Sequence, residues 1–171
     1  MANTIIIKRY SDVQMEFAAN AAITPGMLVQ ILPTNKIRAH ADAGKNIFPM
    51  FAIEDVFQGK GINDNYAAAA LVRCWIPGRG DIVNALLRDE ENVVIGDYLE
   101  SDGEGRLRKI TRTNESWESA DAFPGGGQHS IYTEHILGIA IEAKDLSIMP
   151  EGSDSSAGGA YHNPRIQIMI L

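Results

Sequence analysis

Ile23-Thr24-Pro25-Gly26-Met27-Leu28-Val29 and, further along, Val93-Val94-Ile95-Gly96-Asp97-Tyr98-Leu99 are built alike: an apolar lead, a glycine, then a strand-like run. At the same spacing from its glycine, each is followed by a basic–apolar–basic triplet, Lys36-Ile37-Arg38 and Arg106-Leu107-Arg108. Later each meets an Ala-Ile-Glu triplet, Ala52-Ile53-Glu54 and Ala140-Ile141-Glu142. Gly26 thus matches Gly96, Val29 matches Leu99, Ile37 matches Leu107 and Arg38 matches Arg108. A recurring pattern of this kind points to an internal repeat; two unrelated hairpins obeying one set of turn rules would give the same short match. On either reading the repeated element is a β-hairpin followed by a strand, which is scaffold and not catalytic machinery.

Working outward, short apolar segments are separated by Gly and Pro turns. Thr4–Ile7 and Val13–Phe17 read as strands, the latter because Val13, Met15 and Phe17 alternate with Asp12, Gln14 and Glu16. Met27–Leu32 and Lys36–His40 flank the turn Pro33-Thr34-Asn35, and Phe51-Ala52-Ile53 is a buried strand. Leu71–Ile76 is a strand, Ile82–Leu87 is read as one, and Ser101–Gly105 supplies the glycines of a tight hairpin. Ile136–Ile141 and Arg165–Leu171 complete the set. Many short strands without βαβ periodicity predict an all-β fold, a small β-barrel or β-sandwich with extended termini. The expected organisation is an N-terminal strand or arm over 1–19 and a β domain over 20–171. The repeat divides that domain into 20–88 and 89–171, with a surface insertion at 113–130 and a loose loop at 150–164. Val29, Ile37, Ala52 and Ile53 are expected inward in the first unit, and Leu99, Leu107, Ala140 and Ile141 in the second.

Composition narrows the function classes. A 45% hydrophobic and 22% charged chain of 171 residues is that of an ordinary globular protein. No apolar run is long enough to span a membrane as a helix, and the amino terminus lacks the basic start and apolar core of a signal peptide. With a net charge of −7 and scattered Lys and Arg, no nucleic-acid surface is expected. Cys74 is the single cysteine, so an intrachain disulfide and a cysteine-based zinc site are excluded. His129 and His135 lack the one-turn spacing of a helical metal pair, no nucleophile elbow or phosphate loop occurs, and the acidic run Asp97–Glu104 lacks the ligand order of an EF-hand. Arg79-Gly80-Asp81 matches an adhesion tripeptide, a match of little weight. The hairpin tip Asp102-Gly103-Glu104-Gly105 has no lysine, which rules out a biotinyl or lipoyl carrier. No catalytic residue, cofactor or metal is expected.

Ala21–Val29, Lys36–Ala41, Phe51–Asp55, Arg79–Leu87 and Ile95–Gly103 together resemble the decoration, or cement, proteins on the heads of tailed bacteriophages. The resemblance spans residues 20–145. It implies a structural virion protein, made in the host cytoplasm, that binds the outer capsid surface and bridges subunits of the major capsid protein, commonly as a homotrimer. The alternative is a virion-associated module that binds a host surface or carbohydrate through Trp117, Tyr132 and Tyr161.

Free apolar strands at both ends would leave unpaired edges, so Ile5, Ile6, Ile7, Ile170 and Leu171 are candidate contacts with a neighbouring subunit. As an arm, residues 1–9 would be removable without loss of the β-core.

Overall fold

The computed structural model describes residues 3–45, 48–110, 136–147 and 164–171. The insertion expected at 113–130 and, Pro164 apart, the loop expected at 150–164 lie outside the described residues. Thirteen strands are β1 (Ile6–Lys8), β2 (Val13–Ala19), β3 (Val29–Ile31), β4 (Lys36–Ala39), β5 (Phe51–Ala52), β6 (Leu71–Ile76), β7 (Ile82–Leu86), β8 (Asn92–Val93), β9 (Tyr98–Ser101), β10 (Leu107–Lys109), β11 (Gly138–Ala140), β12 (Lys144–Asp145) and β13 (Arg165–Ile170). A 3₁₀ turn at Val56–Gln58 is the one helical element among the described residues, so the fold is all-β. Among these residues no helix is long and apolar enough to cross a membrane.

The strands form a five-stranded sheet, β3-β4-β2-β6-β5, a six-stranded sheet, β1-β7-β13-β11-β9-β10, and a two-stranded ribbon, β12-β8. Neither large sheet is a closed barrel. Isolated bridges, Leu28 to Phe51 and Leu87 to Leu107, link β3 to β5 and β7 to β10 and curl each sheet around its own apolar interior.

The two sheets share one pairing scheme, and each forms one unit: β2 belongs to the first and β7 to the second, so both units begin ahead of the expected bounds at 20 and 89. Met15 and Phe17 oppose Cys74 and Val72, as Val83 and Ala85 oppose Ile168 and Ile166. Phe51 and Ala52 oppose Trp75 and Cys74, as Ile139 and Ala140 oppose Met169 and Ile168. Ile31 opposes Ile37, as Ser101 opposes Leu107. The one parallel contact also recurs: Ala19 beside Ile37, Leu87 beside Leu107. The glycine turns coincide in their bonds. Gly26 N–H donates to the Ala52 carbonyl at 2.8 Å, and Ala52 N–H returns to Met27 at 3.0 Å; Gly96 donates to Ala140 at 2.9 Å, and Ala140 returns to Asp97 at 2.9 Å.

The interiors follow from period-two alternation. Val29, Ile37, Ala52, Val72 and Cys74 fall in one buried cluster, and Leu99, Leu107, Ala140, Ile166 and Ile168 in the other. Ile53 and Ile141 depart from expectation: Ile53 belongs to the second cluster, away from Ala52, and Ile141 is only half-buried. Each directly follows its inward alanine, so alternation sends it to the opposite face.

The amino-terminal segment is built into the fold. β2 lies between β4 and β6, while β1 adds to the edge of β7. Asn84 N–H donates to the Ile5 carbonyl at 2.9 Å, and Ile5 N–H donates to the Glu54 carboxylate at 3.2 Å. Ile5 is fully buried and Ile170 is 3% exposed, both in the chain's own core. Ile6 and Ile7 are half-buried, leaving Leu171, at 46% exposure, as the most open of the five candidate contacts.

Gly26 and Gly96 both sit at φ near +95, at +93 and +96, where an L side chain is strained. At Gly96 a Cβ meets nothing within 4 Å, whereas at Gly26 it meets the Asn84 carbonyl at 3.3 Å, Ile5 Cδ1 at 3.3 Å and Arg165 Nε at 3.2 Å. Gly96→Ala is expected to cost about 1–2 kcal/mol through backbone strain alone, and Gly26→Ala about 1–2 kcal/mol more through crowding. Urea denaturation of the two variants measures the difference.

Candidate functional site

The side chains that bear chemistry are largely committed to the scaffold. Asp81, fully buried, accepts from Gly78 N–H at 2.7 Å, Ser11 N–H at 3.3 Å and Tyr10 N–H, so the adhesion-like tripeptide offers no free carboxylate. In the acidic run, Asp97 pairs with Lys109 at 2.8 Å and accepts from Val94 N–H at 2.9 Å, and Glu100 pairs with Arg108 at 2.7 Å. Desolvation is the largest single influence on the Asp97 carboxyl and pulls its pKa up, but the Lys109 side-chain bond, the Val94 bond and the charge of Lys109 together outweigh it and hold the group below the usual range. His40 is buried with Nδ1 2.8 Å from Ser101 Oγ. No group of three His, Cys, Asp or Glu suited to a metal occurs among the described residues. His129, His135 and His162, with Trp117, Tyr132 and Tyr161, lie outside them.

What the described residues do build is contact surface. The hairpin Ser101–Arg106 of the second unit docks on the first. Leu28 N–H donates to the Gly105 carbonyl at 2.8 Å, Gly105 N–H to His40 at 3.1 Å, and Gly44 N–H to Ser101 at 3.0 Å. The hairpin is held in shape from within: Asp102 accepts from Glu104 N–H at 2.7 Å and Arg106 N–H at 3.0 Å, and the 10%-exposed Arg106 side chain reaches Asp102 at 3.2 Å and Asp89 at 3.5 Å. Removing one partner of such a buried pair costs about 3–5 kcal/mol, against about 0–1 kcal/mol for an exposed pair such as Arg9 with Asp12. Arg165 is a second tie. Its guanidinium donates to the Pro25 carbonyl and Asn63 Oδ1, both at 3.0 Å, and to the Ile62 carbonyl; burial lowers its pKa to about 10 against an upward pull from Glu54.

Equivalent rows of side chains on the outer faces of the two sheets differ in their cover. In the first unit Gln14, Trp75, Phe51 and Leu28 lie side by side across four strands, and Trp75, Phe51 and Leu28 are fully buried in one cluster with second-unit residues. In the second unit the matching row is Ile82, Met169, Ile139 and Tyr98. Here Tyr98 is 43% exposed and the other three are half-buried. Sequence reasoning missed this row. Its signal was present in the repeat: apart from Gln14, the residues one position off the inward set are apolar in both units.

Comparison with known proteins adds a fold likeness. No family model matches the chain, and no curated protein matches it in sequence. Among solved structures, the N base of the head fiber gp8.5 of bacteriophage phi29 matches with a TM-score of 0.51 at 9% identity, covering 93% of each chain. At that identity the likeness is one of fold.

Burial pushes the Cys74 thiol up to about 12. Its folded value lies above the unfolded one, so this contribution to stability is fully present below about pH 8.5 and is lost as pH rises toward 12. The native thiol is expected to be inert to a disulfide reagent at pH 8 and to react stoichiometrically once the chain is unfolded in urea. A fast native reaction would show that the β6 core opens readily.

Proposed function

We propose that this protein is a structural component of a bacteriophage virion, without catalytic activity, that decorates the outer capsid surface and bridges neighbouring subunits of the major capsid protein. The observation that carries this reading is the fold shared, end to end, with the base of a phage head fiber. Two observations among the described residues support it: Asp81 and Asp97 are engaged in bonds within the scaffold, and the second unit's apolar sheet face is partly open. Decoration works by mass action. A protein that binds the assembled lattice and not its dissociated parts stabilises the lattice by an amount that grows with its concentration. In this reading the protein acts as a homo-oligomer, a trimer matching three-fold positions of the shell, with no nucleic acid or membrane as partner.

Purified protein mixed with expanded capsids that lack it is expected to cosediment saturably and to raise the temperature at which the capsids break open. Absence of cosedimentation, together with binding to host cells or glycans, would replace the capsid reading with a host-surface one.

A further inference from the structure

The two units make one another's environment unequal, and the inequality has a direction. Inside the chain, the outer row of the first unit is covered apart from the exposed Gln14: Leu28 lies under the second unit's hairpin at Gly105, and Trp75 Nε1–H donates to the Ser11 carbonyl at 3.0 Å. The matching row of the second unit has no such cover among the described residues, and Tyr98, the counterpart of Leu28, is 43% exposed where Leu28 is fully buried. Conversely, the second unit's hairpin, Ser101–Arg106, is docked, whereas its counterpart in the first unit, Ile31–Lys36, projects with Ile31 46% exposed and Pro33, Thr34, Asn35 and Lys36 exposed. One chain therefore carries an occupied copy of this contact, plus a free hairpin at one end and a free row at the other.

We infer that a second copy of this chain docks its Ile31–Lys36 hairpin against Tyr98 and Ile110, at the open end of the row Ile82–Met169–Ile139–Tyr98, repeating between molecules the contact that the second unit's hairpin makes with Leu28 and His40 within one. The side chains at the matched positions fit that environment. Where Ser101 Oγ meets His40 Nδ1 at 2.8 Å inside the chain, the corresponding positions are Ile31 of the docking copy and Ile110 of the receiving one. A buried polar pair becomes an apolar pair, which suits an interface that forms from exposed surfaces, since at this position no polar side chain has to be desolvated. Donor and acceptor are different patches, so the interface is heterologous: it closes into a ring if the rotation permits and otherwise propagates. This deepens the homo-oligomer of the reading above and rests on that part alone. Because its test uses no capsid, its failure leaves capsid binding standing.

The test is sedimentation of the full chain over a concentration series, with Ile31→Asp as a donor-dead variant and Tyr98→Asp as an acceptor-dead one. The wild-type chain is expected to self-associate, and each variant alone to associate about tenfold or more weakly. An equimolar mixture of the two variants is expected to regain association but to stop at the dimer, since each pair retains a single intact donor and acceptor. A monomeric wild type, variants that assemble as the wild type does, or a mixture no better than its parts would each overturn the proposal. Should Tyr98→Asp fail to fold, Ile31→Cys and Ile110→Cys chains are mixed under mild oxidation. The buried Cys74 does not compete, and a mixed disulfide dimer forming no faster than either homodimer would likewise overturn it.

Discussion

The segment Thr4–Ser11 is held from both sides, and the arrangement of the two sheets depends on that. Glu54, two residues beyond the first unit's β5, accepts from the Thr4 hydroxyl and from Ile5 N–H. Asn84, on β7 of the second, donates its backbone N–H to Ile5 at 2.9 Å and its side-chain amide to the Thr4 carbonyl at 3.2 Å. Asp81, in the connection between β6 and β7, collects the amides of Tyr10 and Ser11, and Ser11 in turn accepts from the Trp75 indole. Removing the segment would leave two buried carboxylates, Glu54 and Asp81, short of donors. An unmet buried polar group costs about 1–3 kcal/mol and a charged one more.

Other ties reinforce the same junction from different directions. The docked hairpin contributes backbone bonds through Gly105, Arg165 caps the carbonyls of Pro25 and Ile62, and the buried cluster runs from Phe51 and Trp75 of the first unit to Leu99 and Ile166 of the second. Directional bonds fix the orientation of the units, while the shared apolar cluster supplies most of the driving force, because burial of each large side chain is worth about 1.5–3 kcal/mol and a typical hydrogen bond about 1. A construction of this kind keeps the outer surfaces of the two units in fixed relation.

Much of this was legible in the sequence, and for identifiable reasons. Glycines at 26 and 96 marked a turn that needs positive φ, and the spacing from them to Ile37 and Leu107 fixed equivalent registers. Alternation identified β2 and its faces, but it could not foresee that Val13 and Met15 would be 52% and 41% exposed. Beyond its short pairing with β4 at Ala18 and Ala19, β2 has no strand neighbour on that side among the described residues. Period two tells which residues share a face; it does not tell what covers the face. The same gap explains Ile5. A short apolar run near a terminus reads equally as an arm or an edge strand, and its buried acceptor, Glu54, is distant in sequence. Asp81 was hidden in the same way, since its amide partners at Tyr10 and Ser11 become neighbours only after the sheets assemble.

The most direct measurement is urea unfolding of a chain lacking residues 1–9, followed by circular dichroism and by tryptophan fluorescence. If the amino-terminal segment joins the units, the truncated chain, carrying Trp117→Phe so that Trp75 alone reports, unfolds at markedly lower urea and Trp75 becomes accessible to a quencher under conditions where the untruncated Trp117→Phe chain protects it. A truncated chain that unfolds at the same midpoint, with Trp75 still shielded, would contradict the account and return the segment to the status of a dispensable arm.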